Sequence, residues 1–339
     1  MKIIVPMAGR GSRLRPHTLT VPKPLTPIAG KPVVQRLVED IAKISGEDIE
    51  EIAFIIGDFG PETEKDLKAI AQSLGSKGHI VYQDEPLGTA HAILCAKESL
   101  SGPVVVAFAD TLFRADFKLN SEADGVIWTK KVEDPSAFGV VKMNDQGVIT
   151  DFVEKPQTFV SDEAIIGIYY FKDGAVLRSE LQYLIDNNIT HKGEFSITDA
   201  LENMKNKDMV FTTGVVDHWM DCGNKAVVLE TNSKVLQFIK DEPNLVHPSV
   251  KLENTEVIPP CYIGEGAELK DCIVGPYVSI GSKTKMNRVE INNSMVMSLS
   301  NVQHIKLTES MIGNNAKVDG RWNRLSVGDY TQMEFEPNA

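Results

Sequence analysis

Apolar and polar positions along residues 1–240 follow two alternating periods. Short β-branched runs, Ile3-Ile4-Val5 first among them, give way to stretches whose apolar residues stand three and four apart. Continuous apolar runs predict strands, and the 3.6-residue spacing predicts helices. Helices are predicted over 33–44, 62–74, 90–100 and 225–239, and strands over 51–56, 79–83, 104–109, 138–141, 148–153 and 210–216. Strands alternating with crossover helices predict an α/β fold, a Rossmann-like and mostly parallel sheet with helices on both faces. Ligands of such sheets bind at the carboxyl ends of strands, so the residues just after each strand carry the candidate chemistry.

After residue 240 the pattern changes in kind. Residues 241–248 read as a linker. Beyond them, segments starting at Leu252, Leu269, Ile291 and Leu307 share one template: L-E-N-T-E-V, L-K-D-C-I-V, I-N-N-S-M-V and L-T-E-S-M-I. Apolar residues return about every six positions, as in Val257, Ile263, Leu269 and then Val274, Ile280, Met286. Short repeats of this kind predict stacked β-solenoid coils with one inward residue per face. The expected division is therefore 1–240, a linker at 241–248, and a coil domain with a C-terminal tail over 249–339.

The candidate chemistry starts in the turn after the first apolar run. Gly9 and Gly11 lack a Cβ, so their N–H groups can approach an anion closely, while Arg13 and Arg15 offer fork-shaped cationic donors suited to phosphate. Lys23 lies between Pro22 and Pro24, which restrict it to an extended conformation and project a further cation in a fixed direction. A Walker A loop would need lysine and Ser/Thr directly after the glycines, and a dinucleotide fingerprint would need G-x-G-x-x-G opening a helix. Neither spacing occurs. Asp110 follows the fully apolar run V-V-V-A-F-A, which delivers a carboxylate to a strand end. Taken with Asp221 in W-M-D-C-G it offers the oxygen donors that Mg²⁺ prefers, one or two carboxylates completed by phosphates and water. Plainer structural roles compete at several positions: Thr89 as a helix N-cap, Glu154-Lys155 as a charged pair at a strand end, Asp221 as a turn residue, and Ser196 or Thr198 as a cap.

The motifs resemble those of the sugar-1-phosphate nucleotidyltransferases, or nucleotide-sugar pyrophosphorylases, whose signature is roughly L-A-G-G-x-G-T-R-L-x-P followed by K-P-L-x-P-x-x-x-K-P. Met7, Ala8, Gly9, Gly11, Ser12, Arg13, Leu14 and Pro16 match the first part, and Lys23, Pro24, Leu25, Pro27, Lys31 and Pro32 the second. The glycine loop is one residue shorter than the pattern, with Arg10 where a glycine would stand. The resemblance implies Arg13, Lys23 and Asp110 as catalytic residues and Ala8, Gly9, Gly11, Ser12, Gln83, Gly88 and Thr89 as nucleotide-binding. It likewise implies Gly139, Glu154, Lys155 and Gly167 for the sugar phosphate, with Asp110 and Asp221 on Mg²⁺. Glu194, in K-G-E-F-S-I-T-D-A-L, matches another recurring stretch. A side-chain amide at Gln83 pairs with a uracil-like edge through donor and acceptor together, favouring UTP or dTTP with glucose-1-phosphate. The coil segment resembles the left-handed β-helix of hexapeptide-repeat proteins. Guanylyl transfer to mannose-1-phosphate, a second acyltransferase activity in the coils, and a regulatory subunit that binds nucleotide sugars without turnover are the rivals. The coils carry one histidine beyond their start, His304, so a structural or oligomerising role is expected ahead of acyl transfer, with the chain as a homo-oligomer.

Composition narrows the partners. A chain of 339 residues suits about two domains. Its formal net charge of −12 argues against nucleic acid or an anionic membrane as partner. No apolar stretch reaches the ~18 residues of a membrane span, and the sequence opens on a strand and not on a signal peptide, so a cytoplasmic protein is expected. Cys95, Cys222, Cys261 and Cys272 lack C-x-x-C spacing and read as reduced structural thiols.

Overall fold

The computed structural model describes residues 1–9, 11–117, 119–321, 326 and 328–334. It packs into two compact units, one built from residues 1–10 and 34–220, the other from 11–33 and 221–339.

The first unit runs β1 (Lys2–Pro6), α1 (Val33–Ser45), β2 (Glu51–Ile56), α2 (Pro61–Ser73), β3 (Lys77–Tyr82), α3 (Thr89–Cys95), β4 (Val104–Ala107) and β5 (Thr111–Arg114). It continues through β6 (Gly125–Lys131), β7 (Gly139–Met143), β8 (Ile149–Glu154), β9 (Glu163–Phe171), α4 (Gly174–Asp186), α5 (Ile197–Lys205), β10 (Phe211–Val215) and β11 (His218–Asp221). The main sheet has the order β8-β7-β9-β4-β1-β2-β3, with β6 pairing both β9 and β10. Its β4-β1-β2-β3 half is parallel throughout, and β9 joins β4 antiparallel with Tyr169 opposite Val106. Ile3, Ile4 and Val5 of β1 and Val104, Val105 and Val106 of β4 are fully buried, as a parallel strand covered on both faces requires. Each such side chain contributes roughly 1.5–3 kcal/mol relative to exposure. The core over these strands includes Ile93, Leu177, Leu181, Ile197 and Leu201 from α3, α4 and α5.

Helix α3 ends at Cys95, short of the expected residue 100. The apolar pattern does continue to Leu100, which is fully buried. The backbone nevertheless tightens into three-residue hydrogen bonds, Lys97 N to Leu94 O and Ser99 N to Ala96 O. The W-M-D segment, which alone reads as a turn, is strand β11 and pairs with β5.

In the second unit, α6 (Lys225–Phe238) precedes a stack of parallel strands. Leu252, Leu269, Met286, Val302 and Val318 are register partners in one row. Val257, Val274, Ile291 and Leu307 form a second row, and Ile263, Ile280, Val296 and Ile312 a third. The six-residue recurrence holds, but the shared template does not mark equivalent positions. Leu252 and Leu269 lie in the first row, whereas Ile291 and Leu307 lie in the second. Every row selects the same apolar period, so the template recurs one face out of phase. Asn254, Asp271, Arg288 and His304, each two residues past a first-row partner, all adopt positive φ, which turns the chain at the same point of successive strands. The segment expected as a linker already joins the stack: Val246 bridges Ile263, and His247 N donates to Ile263 O at 2.9 Å. All four cysteines are free thiols. No described helix is long and apolar enough to cross a membrane.

Candidate active site

In the first unit, two of the motifs are locked together. Gly88 has φ +115°, and a Cβ there would stand 2.4 Å from Phe195 O, so only glycine fits. Phe195 N donates to Leu87 O and Ala90 N to Phe195 O, both at 2.9 Å. Thr89 is not the cap of α3; Gly88 holds that position without a side-chain bond. The Thr89 hydroxyl instead accepts from Ile197 N at 3.0 Å, at the start of α5. The stretch around Glu194 is therefore the clamp that fixes the L-G-T turn after β3. Gln83, the first residue past β3, donates its backbone N–H to Ile56 O at 2.9 Å, and its Nε2 lies 3.2 Å from His91 Nδ1 on α3.

Of the residues expected on the sugar side, Gly139 and Glu154 stand opposite one another on the β7-β8 ladder. A Cβ at 139 would come 3.1 Å from Glu154 Oε2, so the glycine leaves room for that carboxylate. Thr198 Oγ1 donates to the same oxygen at 2.8 Å, and Lys155 Nζ lies 3.5 Å from Glu154 Oε1. Lys155 itself adopts φ +42°. Gly167, at φ +83°, sits where the β9 register with β6 shifts, and its carbonyl accepts from Phe108 N at 3.0 Å. Phe108 is two residues from Asp110, which follows β4 and is half-buried. Ala8 and Gly9 follow the end of β1, where Met7 N is still bonded to Ile55 O at 2.8 Å. Trp219 of β11 packs edge-on against Phe138 at 4.9 Å between ring centroids.

The second unit holds the signature turn. Gly11 has φ +61° and caps a three-residue 3₁₀ turn, Ser12–Leu14, and its carbonyl accepts from Thr18 Oγ1 at 2.7 Å. A Cβ at Gly11 would stand 2.8 Å from the Lys23 Cβ, so turn and lysine are packed together. Lys23 is not extended as expected from its flanking prolines. It opens a 3₁₀ turn, Lys23–Leu25, in which Leu25 N bonds Pro22 O and Thr26 N bonds Lys23 O, and these bonds outweigh the pre-proline bias. It is only 8% exposed, and a buried lysine demands polar partners. Arg15 is seated on the chain's far end: Nη1 donates to the Tyr330 hydroxyl at 3.1 Å, with the guanidinium 5.1 Å from the ring centroid. Arg13 lines a cavity of about 880 Å³ together with Asn224, Lys225, Glu230, Tyr277 and Asn293. Arg10 lies outside the described residues.

Among the described residues no group of three or more His, Cys, Asp or Glu side chains is placed to hold a metal ion. Asp221 is exposed, and a Cβ at 223 would come 2.9 Å from its Oδ2, so Gly223 keeps space beside the carboxylate. Thr231 Oγ1 on α6 fixes the Asp221 carbonyl at 2.8 Å. Carboxylates at strand ends fit a hard cation that takes most of its oxygens from water and phosphate.

Three residues of the arrangement carry no sequence signal of their role. Thr198 reads in the sequence as a cap, a role that Ser196 fills by accepting from Thr198 N. Asn232, fully buried on α6, accepts from Ala29 N at 3.0 Å and from Ser279 Oγ at 2.7 Å, tying the signature segment to the strand stack. Tyr330 lies in a tail with no periodic signal.

A glycine turn packed on a buried lysine in one unit, and an α/β sheet with carboxylates at its strand ends in the other, are features also found in nucleotide-handling proteins. The family model "Nucleotidyl transferase" matches residues 2–237. Over 99% of this chain and all of the relative, identity is 29% with a glucose-1-phosphate thymidylyltransferase of Streptomyces antibioticus. It is 30% with the low-salt glycan biosynthesis nucleotidyltransferase Agl11 of Haloferax volcanii, again over 99% of this chain and all of the relative. A crystal structure of a UDP-glucose pyrophosphorylase complexed with UDP-glucose aligns at a TM-score of 0.57 and 25% identity, covering 70% of this chain and 98% of that one. The chain belongs to the nucleotidyl transferase family, as a sugar-1-phosphate nucleotidyltransferase. Members of that family join a nucleoside triphosphate to a sugar 1-phosphate and use a divalent metal.

Proposed function

We propose that this protein condenses glucose-1-phosphate with dTTP or UTP to give the NDP-glucose and pyrophosphate, with Mg²⁺ as the metal. The observation that carries the proposal is the Gly139–Glu154–Thr198 arrangement, a carboxylate held open by a glycine and oriented by a hydroxyl. That is apt for accepting hydrogen bonds from sugar hydroxyls in a member of this family.

The attacking group is a phosphate oxygen of the sugar 1-phosphate, already ionised, so no general base is needed and no covalent enzyme intermediate forms. Attack on the α-phosphorus is in line, and catalysis is a matter of positioning and charge neutralisation. Gln83 and the Gly88-Thr89 turn hold the nucleobase; the N–H groups of Ala8, Gly9, Gly11 and Ser12 receive the phosphates. Arg13 stabilises the α-phosphate and departing pyrophosphate, and Lys23 and Lys155 reduce repulsion between the two polyanions. Gly167 leaves room against the sugar. Asp110 and Asp221 would hold Mg²⁺, which neutralises phosphate charge when bound. A single positioned cation of this kind supplies roughly 3 kcal/mol of transition-state stabilisation.

Residues 1–240 serve as the catalytic domain, and 249–339 as a left-handed β-helix with its tail. Rows that recur every 16 or 17 residues, three faces to a turn, support that reading. The β-helix serves assembly of a cytoplasmic homo-oligomer. His304 sits at a corner of the stack, 3.2 Å from Asp319 Oδ1, which favours a structural pair over an acyltransfer base. The test is pyrophosphate release with Mg²⁺ across UTP, dTTP, GTP, CTP and ATP against glucose-, mannose-, galactose- and N-acetylglucosamine-1-phosphate, with acetyl-CoA consumption followed in parallel. Release with glucose-1-phosphate and dTTP or UTP supports the proposal. Release only with GTP and mannose-1-phosphate replaces it with guanylyl transfer, and silence with retained NDP-sugar binding replaces it with a regulatory role.

A further inference from the structure

We propose that His91 is a positioning residue for nucleobase selection: it holds the Gln83 amide nitrogen, so that the amide oxygen and not the NH₂ group faces the base. The inference rests on the reading of Gln83 as the residue that contacts the base.

An amide side chain is an ambivalent reader. Its terminal torsion is broad and two-fold, so a half-turn exchanges oxygen for nitrogen at little cost. Gln83 Nε2 lies 3.2 Å from His91 Nδ1. With the ring proton on Nε2, Nδ1 accepts from the amide nitrogen, and that tautomer biases the half-turn. The backbones on both sides are fixed independently. Gln83 N is bonded to Ile56 O, and His91 follows Ala90, which is fully buried and bonded to Phe195 O. His91 is itself half-buried, so its ring is not free to wander.

With the nitrogen anchored, Gln83 offers Oε1 as an outward acceptor. Uracil and thymine present an N3–H donor on that edge, whereas N3 of cytosine is an acceptor and would face oxygen with oxygen-like repulsion. The same oxygen would also accept from guanine N1–H, so size must exclude the purine. Remove the histidine acceptor and the nitrogen-out state, which matches cytosine, becomes as accessible as the oxygen-out state. His91 therefore acts through Gln83 and touches no substrate itself.

The experiment compares kcat/KM for UTP and CTP, with glucose-1-phosphate saturating, in the wild type, His91→Leu, His91→Asn and Gln83→Leu. Loss of one oriented hydrogen bond should lower the UTP:CTP ratio about tenfold in His91→Leu, through a raised KM for UTP and not through kcat. In His91→Asn the Oδ1 takes roughly the place of Nδ1, and most of the ratio returns. In a Gln83→Leu background His91→Leu has no further effect. A His91→Leu enzyme that loses UTP and CTP activity equally overturns the inference, because that is the result of a merely structural histidine. If Gln83→Leu collapses the ratio and His91→Leu leaves it intact, the inference alone falls. If Gln83→Leu also leaves the ratio intact, the base is read elsewhere and both fall.

Discussion

Thr198 Oγ1 donates to Glu154 Oε2 at 2.8 Å, across 44 residues of sequence. The bond sets one carboxylate oxygen beside Gly139 and leaves the other toward Lys155. Thr198→Val keeps the shape and removes the donor. The sugar-1-phosphate KM should rise about tenfold or more, the scale of one hydrogen bond to a charged group, while the NTP KM stays put. Steady-state kinetics with each substrate varied in turn will separate the two.

Gly88→Ala should be among the most damaging small substitutions in the first unit. The added methyl would meet backbone, not a flexible side chain, at 2.4 Å from Phe195 O, and at φ +115° an L-residue is strained in any case. A loss of about 2 kcal/mol or more is expected by denaturant titration. Gly46→Ala meets no atom within 4 Å and has a positive φ of +62°, so it samples a positive-φ strain without a clash and should cost less.

Asn232→Ala leaves two buried donors, Ala29 N and Ser279 Oγ, without their acceptor. Each unsatisfied group costs about 1–3 kcal/mol, so a loss of roughly 2–6 kcal/mol is expected in chemical denaturation. Ser279→Ala removes one donor together with its need and should cost much less.

His17 has its pKa pushed below the usual 6.5, first by burial and then by the positive charge of Lys225. A lowered folded-state pKa means that the unfolded chain binds the proton more readily. The neutral ring's contribution is complete above pH 6.5 and is lost as pH falls below that value toward the folded pKa. Thermal midpoints measured between pH 7.5 and 5.0 should therefore fall more steeply in the wild type than in His17→Gln. Equal slopes would remove His17 from the acid sensitivity.

Much of this molecule was legible because its signals are local. The apolar run Ile3-Ile4-Val5, the six-residue recurrence from Val257 to Met286, and the glycine turn each carry their structure within a few residues. Other features depend on competition that a single stretch does not display. Lys23 sits between prolines that favour extension, yet two turn hydrogen bonds decide its conformation. Ser196 and Thr198 are equally good caps on paper, and only the position of Glu154 assigns the second hydroxyl elsewhere. The template shared by Leu269 and Ile291 hides a phase shift, because all three faces of the stack ask for the same apolar period. The Tyr330 contact with Arg15 spans 315 residues and leaves no periodic trace.

Attack on the α-phosphorus is tested directly by isotopic labelling. UTP or dTTP carrying ³²P at the α or the γ position is incubated with glucose-1-phosphate and Mg²⁺, using wild type and Asp110→Asn. The α label should appear in the sugar nucleotide and the γ label in pyrophosphate, with turnover reduced at least a hundredfold in the variant, as expected when about 3 kcal/mol of charge stabilisation is lost. A γ label on the sugar product would rule out attack at the α-phosphorus, and an Asp110→Asn enzyme that turns over like wild type would remove Asp110 from the reaction.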